Sequence, residues 1–275
     1  MNSRWSVLQE QAQALVGSLD LMLDTHVHIG QWEHEAYRSQ SAGWAETVEV
    51  LQSCGFHGMV VMPVGAHANQ SLYDEMVQGP EFPAWLFPWV APSVPESEAF
   101  VEAHQSMVAG IKIHPSFDRC RITDPAFVPI LDKAQQHGWP VQVHCGRWQE
   151  MASYKWVLEI AERYPEVRFI CAHLGGDLPE LRLAAVRGAE ERGLPNIYFD
   201  MSTTREFYVI RSLVDAFGWN RLLFGSDFNL HHPLTLMATL VASGIPPEAL
   251  VDIMGGNLKK LMEGRPLFFE RRSQS

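Results

Sequence analysis

The chain has 275 residues, 47% hydrophobic and 19% charged, with a formal net charge of −11. That length suits one large domain or two small ones, and the acidic balance excludes an extended nucleic-acid-binding surface, which needs a basic patch. No apolar run approaches the ~20 residues of a membrane span, and the amino terminus carries no secretory pattern. The four cysteines (Cys54, Cys120, Cys145, Cys171) form no C-x-x-C pair, so reduced thiols in a cytoplasmic protein are expected.

In chain order, Trp5, Leu8, Ala12, Leu15 and Val16 are spaced along one face of a leading helix over 5–19. A strand over 21–30 follows, then a helix over 43–54. Gly58–Pro63 is apolar throughout, which predicts a strand buried on both faces. The alternation continues with a helix over 70–78 and a strand over Trp85–Ala91, where Pro88 cannot donate to a ladder. Next come a helix over 97–108, a strand over Gly110–His114 and a helix capped by Asp124 running to His137. Strands over Pro140–His144, Val167–His173, Ile197–Asp200 and Leu222–Asp227 alternate with helices over 152–163, 178–191 and 206–217. Helices over 233–243 and 247–262 close the chain. Such regular alternation predicts parallel βαβ units. Eight of them in this length predict an α/β fold, a closed (β/α)8 TIM barrel, as a single domain over 1–275.

The polar residues sit at the carboxyl ends of the predicted strands. His26 and His28, two apart, project from one face of the first strand with Asp24 a layer below. Lys112 and His114 end the fourth strand, His144 the fifth, His173 the sixth, Asp200 the seventh and Asp227 the eighth. In a barrel these ends meet at one mouth, where barrel enzymes place their chemistry.

The segments Asp24-Thr25-His26-Val27-His28, Gly110-Ile111-Lys112-Ile113-His114-Pro115, Val143-His144-Cys145-Gly146, Ala172-His173-Leu174-Gly175-Gly176 and Phe224-Gly225-Ser226-Asp227 carry a family resemblance. In this order the chain resembles the amidohydrolase superfamily, and within it the branch of compact metal-dependent hydrolases and decarboxylases. The resemblance implies one divalent metal ion, zinc first and manganese second, held by His26, His28, His144 and Asp227. It also implies that His173 contacts substrate or the metal's water.

The residue chemistry agrees. Neutral imidazoles and one carboxylate make a charge-balanced site for a borderline divalent ion. Asp227 would take a proton from the activated water, and His173 would hydrogen-bond the carbonyl oxygen. Lys112 lies within an apolar strand, where a charge must be paired or functional. It is read as balancing Asp227 or a substrate carboxylate, with a bridging carbamate as the alternative, and His114 faces the same way. Arg147 after the fifth strand, Arg205 after the seventh and His67 beyond the second complete the candidate substrate-binding set. Trp32, His34, Trp148, His231 and His232 are weaker candidates for the same loops.

Three functions remain open. The first is a metal-dependent hydrolase opening a lactone, ester or amide bond in a small, carboxylated, anionic molecule. The second is a non-oxidative decarboxylase of an aromatic or unsaturated acid, using the same ligands. The third is a metal-free barrel with a binding role. The nine tryptophans and the segment 80–92 would serve a homodimer contact or a barrel core equally well.

Overall fold

Short runs of β-branched and other apolar residues, each closed by Gly, Pro or a polar residue, set the strands of this chain. The structure, a computed structural model, describes Gly17 and residues 19–269. The leading helix predicted over 5–19 falls almost wholly outside the described residues.

Among the described residues, eight parallel strands alternate with helices: β1 (Leu23–Gln31), β3 (Gly58–Pro63), β4 (Ala84–Leu86), β5 (Ile111–Ile113), β6 (Val141–Val143), β7 (Phe169–Cys171), β8 (Ile197–Asp200) and β9 (Leu222–Leu223). A short strand, β2 (Ser41–Ala42), pairs antiparallel with Gly30 and Gln31 at the end of β1 and carries it one residue past its expected end. The ladders form two sheets, β2-β1-β3-β4 and β5-β6-β7-β8-β9. Single parallel bridges span both seams, Leu86 to Val108 and Trp89 to Lys112 on one side, Val27 to Phe228 on the other. The architecture is the predicted TIM barrel.

Several strands are shorter than predicted, among them β5, β6 and β7, and two more stop early for reasons their hydrogen bonds show. The run Trp85–Ala91 leaves the ladder after Leu86 because Pro88 has no amide hydrogen. The Pro88 carbonyl still accepts from the Lys112 amide at 2.8 Å, which keeps the seam together. The last strand stops at Leu223, since the Phe224 amide turns to Ile253 O at 3.0 Å. The segment 247–262 is broken by a π-turn over Asp252–Gly256. A side chain on Gly255 would meet the Leu21 carbonyl at 2.8 Å, so the close approach there needs glycine.

The helices follow the predicted positions, including α1 (Trp44–Ser53), α2 (Asn69–Gln78) and α5 (Val128–His137). Between β4 and α5 lie α3 (Pro95–Ala103) and α4 (Pro115–Asp118), the latter a single turn directly after β5. No helix among the described residues is long and apolar enough to cross a membrane.

Period-two alternation divides the side chains between two layers. Ile111, Ile113, Val141, Val143 and Phe199 face the helices in the main core. Leu23, Val60, Met62, Phe87, Ile170 and Leu223 form a separate apolar cluster plugged by Leu258, Leu261 and Met262. The polar residues of the same alternation, Lys112, Gln142 and Asp200, are fully buried. Phe82, Phe87 and Trp89 of the segment 80–92 are buried too, and Trp85 packs partly buried against the cluster that holds Phe87.

Candidate metal centre

His26 and His28 are held by what their other ring nitrogens do. His28 Nδ1 lies 2.8 Å from the Pro63 carbonyl, an acceptor only, so Nδ1 carries the hydrogen and Nε2 a lone pair. His26 Nδ1 lies 3.0 Å from Asp200 Oδ2, which fixes the same tautomer. The two Nε2 lone pairs then face each other at 3.1 Å. Asp227 Oδ1 stands 3.4 Å from His26 Nε2 and 3.8 Å from His28 Nε2. Lone pairs and a carboxylate this close repel unless a cation joins them. Donors around a tetrahedral zinc with bonds of ~2.0–2.1 Å stand about 3.3 Å apart, so the spacing fits a divalent ion. The Lys112 ammonium, 3.1 Å from His26 Nε2, supplies positive charge at the cluster.

Burial, and after it Lys112, pushes His26 down to about 4 and His28 well below the imidazole range, which keeps both neutral as ligands must be. Burial raises Asp227 well above the carboxylate range, against the pull of Lys112. Burial pushes Lys112 itself down to about 8. For Asp200, burial alone would raise the pKa. The facing His26 and His173 rings and the Ser202 hydroxyl outweigh it and hold the carboxyl well below its usual range.

Asp24 locks the scaffold beneath. Its Oδ1 accepts from the His26 amide at 3.0 Å and the Ser226 amide at 2.9 Å, tying β1 to the chain after β9. The β1–β3 register breaks between Asp24 and Val27, where this side chain takes the amide.

A cavity of about 660 Å³ opens above the cluster. It is lined by His26, His28, His114, His144, His173 and Asp227, with Trp32, Tyr37, Phe117 and Trp148 as aromatic walls and Arg147, Arg182 and Arg205 as cations. Among the described residues, the groups whose ligand atoms lie within 4.8 Å of one another are His26–His28–Asp227 and His26–His173–Asp200. His144 is in neither. Its ring stacks on His114 at 3.8 Å between centroids, and its Nδ1 meets His173 Nε2 at 3.1 Å. A side chain on Gly146 would strike His144 Nε2 at 2.5 Å, so this turn requires glycine.

The remaining sequence candidates separate. His114 lines the cavity, and its Nδ1 accepts from the Phe117 amide at 3.3 Å, leaving the hydrogen on Nε2. Both nitrogens of His173 are engaged, Nε2 with His144 and Nδ1 with Ser202 Oγ at 2.8 Å. Arg205 lines the wall, while Arg147 is largely exposed at the rim, 3.4 Å from Asp177. Lys112 lies beneath the cavity floor. His67 is outside the cavity, facing Glu33 at 3.3 Å across exposed surface.

Sequence reasoning missed Ser202, Gln142 and Arg182. Gln142 donates to Asp200 Oδ2 at 2.8 Å. Arg182 donates to Gly176 O at 3.0 Å and Thr203 O at 3.2 Å and pairs with Glu206, clamping the loops after β7 and β8. The period-two rule, carried one step past Asp200, points to Ser202.

The family model "Amidohydrolase" matches residues 23–261. The chain belongs to the amidohydrolase family. No curated protein matches the sequence. Solved structures of similar fold include 5-carboxyvanillate decarboxylase from Sphingomonas paucimobilis, 15% identical with a TM-score of 0.65 and covering 88% of this chain and 98% of that one. A probable 2-pyrone-4,6-dicarboxylic acid hydrolase from Acinetobacter baumannii, with citric acid bound, matches at 15% identity and a TM-score of 0.65, with 88% and 98% covered. An amidohydrolase from Burkholderia multivorans with bound zinc matches at 16% identity and a TM-score of 0.65, with 88% and 99% covered. At this identity the likeness speaks for the fold of this family member.

Proposed function

We propose that this amidohydrolase is a divalent-metal-dependent hydrolase that opens a lactone, ester or amide bond in a small carboxylated molecule. The observation that carries the reading is the pair of facing imidazole lone pairs with Asp227 beside them, at the floor of a cavity with cationic walls. His26, His28 and Asp227 would hold the ion, zinc first and manganese second, with His144 as the fourth donor. When bound, such an ion supplies a water of lowered pKa and polarises a carbonyl. Asp227, as the carboxylate, accepts the proton from the attacking water and passes it to the leaving group. His114, whose ring lines the cavity and bears its hydrogen on Nε2, stabilises charge on the carbonyl oxygen. This takes over the part that the sequence suggested for His173, whose nitrogens are engaged. Arg205 on the wall and Arg147 at the rim attract a substrate carboxylate.

The aromatic walls favour a second reading, decarboxylation of a planar aromatic acid at the same ligands, and the names of the structural neighbours include both reaction types. The two differ in what enters the product. Zinc- or manganese-loaded protein would be screened against carboxylated lactones, esters, amides and aromatic acids in H₂¹⁸O. Hydrolysis places one ¹⁸O in the product and releases no carbon dioxide. Carbon dioxide release, with deuterium entering the carbon skeleton in D₂O, would replace hydrolysis by the second reading. Turnover of nothing in the panel by metal-loaded protein would count against both and favour a binding role.

A further inference from the structure

We propose that Ser202 is a positioning residue. Its buried hydroxyl fixes which nitrogen of His173, and through it of His144, carries the hydrogen, and it fills the second cluster of potential ligands. The inference rests on the metal reading above only for its consequence on ion affinity.

The hydrogen-bond pattern leaves little freedom. Ser202 follows β8, is fully buried, and its Oγ donates its single hydrogen to Asp200 Oδ1, a carboxylate that can only accept. The Ser202 amide bonds the same oxygen at 2.9 Å, fixing the hydroxyl in place. With that hydrogen committed, Oγ faces every other neighbour as an acceptor. His173 Nδ1, 2.8 Å away, must then carry a hydrogen, and in a neutral ring its Nε2 has the lone pair. That lone pair faces His144 Nδ1 at 3.1 Å, which must therefore be protonated, leaving the lone pair of His144 on Nε2. A metal ligand needs a lone pair on the nitrogen it presents, and its other N–H needs an acceptor. Asp200 does this directly for His26. Ser202 does it at one remove for His144, and His173 becomes the connector between them.

The same geometry separates the two ligand clusters. In the His26–His173–Asp200 group, Ser202 Oγ stands 2.8 Å from His173 Nδ1 and 3.3 Å from His26 Nδ1 and bonds Asp200. The atoms that would have to bind a second ion are already satisfied by a neutral hydroxyl. One ion per chain follows.

The test uses ¹⁵N-labelled full-length protein, wild type, Ser202→Ala and Ser202→Thr. Long-range ¹H–¹⁵N correlation spectra of the apoprotein read the histidine tautomers. Zinc affinity and stoichiometry come from competition with a chromophoric chelator, and thermal melts report folding. Wild-type spectra should show His173 and His144 hydrogen-bearing at Nδ1, with zinc saturating at one per chain. Ser202→Ala should redistribute both tautomers and weaken zinc binding about 10–100-fold, and Ser202→Thr, which keeps the hydroxyl, should restore both. Wild-type protein with His173 hydrogen-bearing at Nε2 would overturn the proposal whether or not any variant folds. So would two zinc ions per chain, or a folded Ser202→Ala with wild-type tautomers and affinity. Wild-type protein that shows the expected tautomers but binds no zinc would sink the metal reading and still support the hydrogen-bond assignment.

Discussion

At the scale of single residues, Asp227 has two proposed parts in the site, ligand and proton acceptor, and one backbone requirement. Its φ of 61° lies in the left-handed region, which asparagine tolerates better than most residues. Asp227→Asn should therefore keep the fold while removing the negative charge. The expected outcome is a loss of about 10³-fold or more in kcat with an unchanged melting temperature, checked by steady-state kinetics beside thermal unfolding. Wild-type turnover would remove Asp227 from the mechanism. That His26 and His28 share one strand face was legible from their spacing, while the ligand set that includes Asp227 was read from the family resemblance. The parts proposed for His114, His173 and Ser202 were not legible. They depend on which nitrogen bears a hydrogen, and partners distant in sequence decide that.

At the scale of elements, the chain at the ends of β1, β5, β6, β7 and β9 delivers polar side chains to the mouth. The turn α4, directly after β5, carries Asp118, whose carboxylate accepts from Trp89 Nε1 at 3.0 Å and 3.2 Å. Trp89 in turn stacks on His114 at 4.9 Å and 7°. Burial pushes Asp118 from 3.8 up to about 6, with the Trp89 bond opposing it. A carboxyl raised in the folded state binds its proton more tightly there than in the unfolded chain. Its ionisation therefore removes stability as pH rises from about 4 to about 6. Asp118→Asn keeps the acceptor for Trp89 and abolishes that titration. The melting temperature of the variant should gain on wild type between pH 4 and pH 7, and a constant difference across that window would count against it. The helices α1, α2 and α5 were readable from amphipathic spacing, and α4 was not. A four-residue turn has no periodicity to detect.

At the scale of the whole molecule, the barrel is held from behind by the segment after the last described helix, Asn257–Leu261, which returns across its outer face. The Phe268 amide bonds the Ala84 carbonyl at 2.9 Å, while Phe269 stacks on Trp44 of α1 at 5.7 Å and Phe268 meets Tyr73 of α2 edge-on at 5.7 Å. Both phenylalanines are buried. Replacing either by alanine should lower the unfolding free energy by ~3–5 kcal/mol, read as a shift of denaturant midpoint at constant slope. A midpoint within error of wild type would show that the segment packs without stabilising.

The order of strands and helices, the barrel and the position of the histidines and Asp227 at its mouth are local properties. They follow from hydrophobic period, turn residues and the rule that alternate strand residues share a face, so the chain carries them in its own spelling. The tertiary structure alone decided that His26 meets Asp200 across 174 residues and Ser202 across 176. It drew His144 toward His114 and His173, placed Arg182 as a loop clamp and left His67 at the surface. Those outcomes depend on distances between segments far apart in the chain, and a hydrogen bond changes sign of benefit within an ångström. No spacing along one segment encodes that.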